Sequence, residues 1–400
     1  MRSDDSPKKV KPNTANQQPS QLGLIIGVVA IGVEGLLLSP ILDDVATAFA
    51  MGSTQVGWAV AVYGLSLAVT APAVGFLGNR VPRKNTMLCG LWLFVCAGLL
   101  CAFSLGFWQL LLGRALCGAA AGAFLPACYA FVGDSTAYAD RGRAMGRVMA
   151  GWSIALIAGI PLSSVIAQVW GWRSSFVVVA ALGALAACLV ARLGQESVSS
   201  SDATLPAGAA LLAQMCASTA PKLLAVNFFN MLSFYGVYTY LGLTVRERLG
   251  VGSGWAGFFV LCYGLGLLLA TLNARLIDRV GKGKVSLWAL VLLAGVLLAL
   301  DSATHHPALL ALCMLAWGTL QGLVQTSTAT LVSQTAQRAR GFTMACLSCT
   351  TYLAVAVGSA VGAWTLAGYG FGALTLSATL CGALACLLLW STLRTPGMES

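Results

Sequence analysis

Two ionisable side chains stand inside long apolar stretches of this 400-residue sequence. Glu34 is flanked by Val33 and Gly35, and Arg114 lies within the run from Leu110 to Gly118. A charge in the core of a membrane costs several kcal/mol unless it is paired, neutralised or in contact with water. A carboxyl group there is suited to take up and release a proton, so we interpret Glu34 as a proton-coupling residue. The alternative is a structural acid that is permanently protonated or salt-bridged.

Arg114 is the natural partner for Glu34, because both residues are expected at a similar depth. At 1.5 Å of rise per helical residue, Arg114 lies about 10 Å from one membrane face and Glu34 about 18 Å from the other. In a hydrocarbon core ~30 Å thick these levels are close, and pairing would lower the cost of burying both charges. The alternative for Arg114 is a polar anchor that only packs helices.

A stretch that mixes amides with aromatic rings is the best candidate for a substrate site. Asn227, Asn230 and Phe234 recur there at helical spacing. Amides in lipid need a partner or a wet cavity, and neighbouring aromatics form an adaptable apolar pocket. Tyr238 and Tyr240 alternatively belong to the aromatic belt at a membrane surface. The predicted cavity residues, of which we expect roughly half to face a substrate, are Tyr63, Trp152, Asn227, Asn230, Phe234, Tyr235, Gln321, Gln325 and Tyr352.

Two further polar pairs lie near the predicted ends of apolar runs. Asp43 and Asp44 follow Leu42 near the end of the first such run, and His305 and His306 are adjacent in a short polar stretch. Acids at the end of a span are commonly solvated, and the alternative is that Asp44 takes part in proton entry or substrate attraction. A metal site at the histidines would need further ligands, so we predict no metal site.

The elements that must position these side chains are membrane-spanning helices. Hydrophobic residues make up 58% of the chain and charged residues only 9%, well below the level of a soluble domain. A helix needs about 20 apolar residues to cross a bilayer. We therefore predict an all-α membrane protein with twelve spans. Their approximate residues are 22–46, 55–78, 85–105, 107–133, 143–169, 172–193, 221–245, 254–277, 284–303, 307–332, 341–367 and 370–393.

The basic residues predict the orientation of the spans. Most of them fall in the amino-terminal tail and in the loops that follow even-numbered spans, whereas Arg173, Arg246 and Arg248 fall on the opposite side. Cytoplasmic loops of membrane proteins carry the excess of Lys and Arg, so both termini are predicted to be cytoplasmic. The net charge of +10 does not indicate nucleic-acid binding, because it is spread over short loops rather than over one face of a folded domain.

Polar segments divide the chain into parts. The longest polar interior segment, residues 194–220, separates six predicted spans from six, and we interpret it as a cytoplasmic linker with a short helix within 209–215. The predicted parts are a disordered tail at 1–21, a six-helix bundle at 22–193, the linker, a second six-helix bundle at 221–393 and a tail at 394–400.

A short basic loop occurs once in each half of the chain. The first copy runs from Gly75 to Lys84, and the second, from Ala274 to Lys284, aligns with it 199 positions further on. A charged turn repeated at this distance indicates two related bundles with pseudo-two-fold symmetry. Arg80 and Arg83 would attract anionic lipid headgroups by about 1 kcal/mol each, which is the simplest role for the loop. The alternative is a gate between the two halves.

The repeated loop, the span count and the arginine of span 4 resemble the major facilitator superfamily. The family loop reads roughly G-x-L-x-D-R-x-G-R-K, and this chain differs from it at Asn79 and Pro82. Within the superfamily it is most similar to the twelve-span drug:proton antiporter branch, in its arabinose-efflux-like group. The branch has a span-5 pattern ending in Gly-Pro and a paired glycine, whereas here Gly-Ile-Pro is followed by Ser163 and Ser164.

The resemblance implies roles for several residues. It implies that the span-4 arginine is associated with proton coupling, and that an acid in the loop latches the two halves together at the cytoplasmic face. Asn79 has no charge and Asp278 has one, so we predict a weaker latch at the first copy. The residues assigned to proton coupling are Glu34, Arg114 and Asp44. Those assigned to the cytoplasmic gate are Gly75, Asn79, Arg80, Arg83, Asp278 and Arg279.

The sequence thus predicts a secondary active transporter that works by alternating access. Proton-coupled efflux of small, largely apolar compounds is the leading interpretation, and the alternatives are export of a sugar or endogenous metabolite, or a non-transporting membrane sensor. We find no nucleotide-binding loop and no nucleophile set, so an enzyme is not predicted. We expect no cofactor other than a proton gradient, a small-molecule substrate and the lipid bilayer as partners, a monomer, and a location in the cell (inner) membrane.

Overall fold

The computed structural model describes residues 21–77, 81–136, 140–193, 208–273, 279–335 and 340–394. Throughout these ranges the chain is helical, with short turns and without strands. Long apolar helices satisfy their backbone polar groups internally, which is a requirement for any segment that crosses lipid. The predicted all-α class is therefore confirmed.

The N-terminal half, defined as α1 to α8, begins with the buried helix that carries Glu34. Five long helices and one broken helix make up this half. The elements are α1 (Leu22–Ala48), α2 (Ser53–Val56), α3 (Trp58–Leu77), α4 (Arg83–Ala102), α5 (Phe107–Ser135), α6 (Arg141–Ile154), a π-helical turn (Ala155–Gly159), α7 (Ile160–Trp170) and α8 (Trp172–Ala191).

The C-terminal half, defined as α10 to α14, follows a short helix that lies within the predicted linker. That helix is α9 (Gly208–Cys216), which confirms the helix expected within 209–215. The remaining elements are α10 (Ala220–Leu249), α11 (Ser253–Leu272), α12 (Lys282–Ala303), α13 (Pro307–Gln334) and α14 (Arg340–Leu393). Gly370 interrupts α14 with a positive φ of 80°, so two helices meet there.

Among the described residues, ten helical segments are long and apolar enough to cross a membrane, and each coincides with one or two predicted spans. The π-helical turn joins α6 and α7 into one continuous candidate. The last candidate covers two predicted spans, because helix assignment continues through Gly370. At 30 residues α10 has the length to cross, but it is less apolar than the ten, since it contains two asparagines and ends in Arg246, Glu247 and Arg248.

The two halves pack their helices in the same order. In the N-terminal half α5 lies against α3 and α4, and in the C-terminal half α13 lies against α11 and α12. Contacts between the halves are made mainly by α1 with α10, α3 with α14 and α7 with α11. Each half therefore supplies equivalent helices to a shared interface, as the repeated loop predicts.

One close backbone contact occurs in both halves at the same relative position. A Cβ placed on Gly118 would lie 2.2 Å from the carbonyl oxygen of Tyr63, and one on Gly318 would lie 2.0 Å from that of Tyr263. Each residue of the second pair lies 200 positions after its counterpart in the first. Small residues let helix backbones approach closely in membranes, so these glycines fix the spacing of α3 with α5 and of α11 with α13.

Replacing Gly118 with alanine should destabilise the protein, because the new methyl group would overlap a carbonyl oxygen that belongs to the backbone. We expect a loss of about 1–3 kcal/mol, the usual cost of overpacking, measured as a lower apparent Tm of the purified protein in detergent. Gly133→Ala is the matched control in the same helix, since a Cβ there meets nothing within 4 Å. Equal melting temperatures for the two variants would contradict the proposed spacing role.

Candidate functional site

Glu34 and Arg114 form a salt bridge between α1 and α5, with both side chains fully buried. The Arg114 Nη1 group donates to the Glu34 carboxylate Oε1 and also, at 3.0 Å, to the Glu34 main-chain oxygen. The Arg114 Nε group donates to the carbonyl oxygen of Ala59 on α3 at 3.1 Å. The predicted pairing is confirmed, and the guanidinium joins three helices of the N-terminal half.

Tyr63 covers this ion pair on the α3 side. The guanidinium carbon of Arg114 lies 4.5 Å from the centre of the Tyr63 ring, within the range of a cation–π interaction. Tyr63 is only 4% exposed. Its hydroxyl oxygen faces Gly35, where an added Cβ would lie 3.2 Å away. In this conformation Tyr63 therefore covers the pair and does not line an open cavity, and its place in a substrate cavity stays a prediction.

The ion pair leaves one polar atom of each partner without a hydrogen bond to the described residues. These atoms are Glu34 Oε2 and Arg114 Nη2, both buried. A charge in such a dry environment interacts strongly with its partner and is costly once the partner is lost. The free carboxylate oxygen gives Glu34 a position at which a proton can be accepted without first displacing Arg114.

The face of α1 beside Glu34 rests against the π-helical turn. A Cβ on Gly32 would lie 2.9 Å from Cβ of Ala155, and one on Gly159 would lie 2.2 Å from a methyl of Val33. Trp152, half-buried in α6, donates to the Tyr129 hydroxyl at 3.0 Å. The π-helical turn, a feature often found at functional sites, thus packs against Gly32 and Val33, the two residues that precede Glu34 on α1.

Asn227 does not face a cavity, contrary to the prediction. It is 7% exposed, and its amide nitrogen donates to the hydroxyls of Thr350 and Thr351 at 3.1 and 2.9 Å. A longer bond of 3.4 Å reaches the carbonyl oxygen of Leu347. The partners all lie on α14, so Asn227 joins two helices of one half, and its amide is satisfied without a ligand.

Phe234 is likewise a packing residue. Its ring stacks on Tyr238 at 5.2 Å and meets the rings of Tyr263 and Trp317 at 5.5 and 5.4 Å. It is 6% exposed. The aromatic residues of span 7 therefore form a cluster between α10, α11 and α13, and Tyr235, whose ring meets that of Phe234, is half-buried at its edge.

Asn230 and Gln321 form a different environment one helical turn from this cluster. Asn230 precedes Phe234 by four residues on α10, and Gln321 follows Trp317 by four on α13, so both lie at one level of two neighbouring antiparallel helices. Both are buried, and Asn230 Oδ1 and both amide atoms of Gln321 lack a partner among the described residues. Unsatisfied buried amides are costly, which singles them out from Asn227.

The other predicted cavity residues are more open. Gln325 is exposed, and its amide nitrogen lies 3.4 Å from the sulfur of Met231. Tyr352 on α14 is half-buried, as are Trp152 and Tyr235. These four side chains are accessible in this conformation, whereas Asn230 and Gln321 are polar but closed off.

Asp44 lies in an ion pair that connects the two halves, about 15 Å along α1 from Glu34 at the rise of a helix. The carboxylate of Asp44 accepts two bonds from the Arg246 guanidinium, at 2.8 and 2.7 Å. Asp43 lies 3.7 Å from the same group. The structure does not bring Asp44 together with Glu34 and Arg114, and sequence reasoning missed Arg246, which is the only described partner of this acid.

Further contacts between the halves cluster around this ion pair. Ser39 donates to the carbonyl oxygen of Tyr238 at 2.5 Å, and Ser253 to that of Ser164 at 3.1 Å. Gln168 accepts from the backbone of Gly254 at 2.8 Å. Among the described residues, the hydrogen bond between the halves that lies nearest the basic loops is made by Cys349 and Ala68, at 3.7 Å. Most of the hydrogen bonds that described residues make between the halves therefore lie at the end away from the loops.

The predicted gate residues are only partly described. Asn79, Arg80 and Asp278 lie outside the described residues, so the predicted latch stays a prediction. Arg279 is exposed, and Gly75 lies in the last turns of α3. Arg83 forms an ion pair with Asp134 at 2.7 Å, within the N-terminal half rather than between halves.

A family model and related proteins identify the class of this fold. The chain is a multi-helix membrane transporter and not an enzyme. The model of the Major Facilitator Superfamily matches residues 24–338 and 223–400, and the chain belongs to that superfamily.

Relatives of this chain include transporters with and without a known substrate. It is 34% identical over 370 residues to YwfA, an uncharacterised MFS-type transporter of Bacillus subtilis, covering 92% of this chain and 89% of the relative. It is 28% identical over 311 residues to a chloramphenicol efflux pump of Mycobacterium tuberculosis, covering 76% and 73%. A D-xylose–proton symporter has the same fold, with a TM-score of 0.78 at 17% identity over 95% of this chain and 98% of the symporter.

Breaking the ion pair from one side should be more harmful than removing both charges. Arg114→Met should cost about 3–5 kcal/mol, because it leaves the Glu34 carboxylate buried and unpaired, and it should lower the apparent Tm clearly. The double variant Glu34→Gln/Arg114→Met should recover part of this loss. If the double variant lost as much stability as its two single variants summed, the pair would not be coupled in the folded protein.

Proposed function

We propose that this chain is a proton-coupled exporter of small, largely apolar compounds that works by alternating access. The observation that carries the proposal is the buried ion pair of Glu34 and Arg114, in which one carboxylate oxygen has no described partner. A buried acid in a transporter is by default part of an ion or proton path. The exporter's direction is supported by the relative described as a chloramphenicol efflux pump.

The proposed topology has twelve spans, with both termini in the cytoplasm. Ten candidate helices, the division of α14 at Gly370 and the inclusion of α10 account for that number. The bundles would cover residues 22–193 and 221–393, joined by the linker at 194–220. The basic loops then face the cytoplasm of a cell whose inner membrane holds the protein, and the ion pair of Asp44 with Arg246 faces outward.

In this topology the described conformation is closed to the outside. The contacts between halves lie around Asp44 and Arg246, at the outer ends of α1 and α10. We therefore assign these two residues to an outer gate that complements the cytoplasmic latch predicted at Asn79 and Asp278. Alternating access requires one gate to weaken as the other forms.

Protonation of Glu34 would couple proton uptake to the opening and closing of the two gates. A neutral carboxyl no longer balances the Arg114 charge, although Arg114 keeps its bonds to the main-chain oxygens of Glu34 and Ala59. The pair then holds α1 against α5 less strongly. Helix α1 contacts the π-helical turn in its own half and α10 in the other half. A shift of α1 that follows protonation of Glu34 would therefore change packing in both halves.

The substrate cavity is proposed to include the accessible side chains of Trp152, Tyr235, Gln325 and Tyr352. Aromatic rings with few charges suit an apolar compound. Chloramphenicol is the first compound to test, because a relative is described by its efflux. The second candidate is a sugar or an endogenous metabolite, favoured by Asn230 and Gln321, whose unsatisfied amides could bond hydroxyl groups.

Glu34→Gln should abolish transport driven by a proton gradient while sparing exchange of substrate. The amide retains the shape of the acid but cannot carry a proton. The measurement is chloramphenicol uptake into inside-out vesicles with and without an imposed pH gradient, alongside exchange of labelled for unlabelled compound. Asp140→Asn, a change at an exposed acid, is the control. Full proton-driven transport in Glu34→Gln and Arg114→Met would contradict the coupling role.

Arg246→Gln should loosen the outer gate, because it removes the cation that holds Asp44 across the interface. We expect faster labelling of a cysteine placed at Ser39 by an impermeant maleimide added outside, in a background without the native cysteines. Arg173→Gln is the matched control, since Arg173 bonds Ser104 within one half at 2.9 Å. Unchanged labelling in Arg246→Gln would exclude this ion pair as a gate.

A further inference from the structure

A cavity of about 380 Å³ opens beside the outer gate, apart from the ion pair and the predicted substrate residues. Its size falls within the range of small-molecule sites. Its wall includes Ser53, Thr54, Leu243, Glu247, Arg248 and Phe371. None of these residues belongs to the proposed coupling site.

Both halves contribute to this wall. Ser53 and Thr54 belong to α2, whereas the other residues come from the end of α10 and from the turn of α14 at Gly370. The cavity is therefore complete only while the outer ends of the two halves stay together. A molecule that fills it contacts both halves at once and favours that state over one in which they separate.

The charged residues around the cavity determine which ligand charge it would favour. Arg248 is already paired, because its guanidinium forms an ion pair with the Asp301 carboxylate at 2.9 Å and donates to the Asp301 carbonyl oxygen at 2.8 Å and to the Thr304 hydroxyl at 2.5 Å. Glu247 has no ion-pair partner among the described residues, and Asp43 and Arg248 both act on it electrostatically, with opposite signs. Because Arg248 is already paired with Asp301, Glu247 is the charged group of this wall that is left without an ion-pair partner.

The rest of the wall is mixed. It combines the hydroxyl side chains of Ser53, Thr54 and Thr244 with apolar side chains, among them Leu243, Leu366 and Phe371. A carboxylate that shares a wall with aliphatic and aromatic side chains is complementary to an organic ammonium, whose charge pairs with the acid and whose body lies on the apolar part of the wall. An anion would be repelled by the charge of Glu247, and the described residues hold no group of three or more His, Cys, Asp or Glu side chains that could bind a metal ion.

We propose that this cavity, hereafter the outer cavity, binds small amphipathic ammonium compounds from the outside, and that a bound compound holds the outer gate closed. Binding itself does not depend on transport. The effect on the gate rests on the proposed alternating access, because it requires the halves to separate during the cycle. An occupied outer cavity would make such compounds non-competitive inhibitors of transport.

Binding is tested with benzyltrimethylammonium, an impermeant ammonium with an aromatic ring, on the full chain in lipid nanodiscs without a proton gradient. Calorimetry or ligand-observed NMR should detect binding, and benzenesulfonate of similar size should not bind. Glu247→Gln should weaken binding by about tenfold, equivalent to roughly 1.4 kcal/mol. Because Glu247 is exposed, the variant should fold, which size-exclusion chromatography checks. Asp140→Asn is the control that keeps the affinity.

Three outcomes would overturn the proposal. The first is no binding to the unmodified protein. The second is binding that Glu247→Gln leaves unchanged, particularly if Glu34→Gln removes it, since the probe would then occupy the central region. The third is unchanged affinity in Arg246→Gln, because a cavity built from both halves should bind less well once the gate is loosened. Since none of these measurements uses transport, loss of proton coupling in Glu34→Gln is a separate result.

Discussion

The cost of placing a charge in an apolar interior is the constraint on which the rest of this structure depends. Glu34 and Arg114 are fully buried, and each is tolerable only because the other is present and because backbone carbonyls of α1 and α3 complete the guanidinium's bonds. Meeting that requirement fixes the rotation of α1, α3 and α5 relative to one another. The contacts that stabilise the proposed coupling site thus also hold α1, α3 and α5 together.

The C-terminal half has uncharged residues at the positions equivalent to Glu34 and Arg114. The positions 200 residues after Glu34 and Arg114 hold Phe234 and Met314, and the close approach of Gly318 to Tyr263 repeats that of Gly118 to Tyr63. The backbone contact is retained while the polar pair is replaced by an aromatic cluster with Trp317. The repeat therefore preserves helix spacing, and the chemistry is free to differ between the halves.

Much of the fold, but less of the site, could be predicted from the sequence. Helix positions follow from apolar length, and the pairing of Glu34 with Arg114 follows from the cost of leaving either alone. Side-chain direction does not follow: Asn227 and Asn230 are three residues apart on one helix, yet the amide of Asn227 has hydrogen-bond partners whereas Oδ1 of Asn230 has none among the described residues. The link from Asp44 to Arg246 joins a helix of each half, and no local pattern encodes which residue of one half meets which residue of the other.

Glu34, the one fully buried acid in the part of the chain that the structure describes, has an electrical consequence. If Glu34 carries one proton inward for each neutral compound moved outward, every cycle transfers one positive charge across the membrane. A potential of 100 mV then contributes about 2.3 kcal/mol to export, in addition to the pH difference. Exchange of the same proton for a compound with one positive charge transfers no net charge, so the voltage would drive the export of neutral compounds and leave that of monocations unaffected.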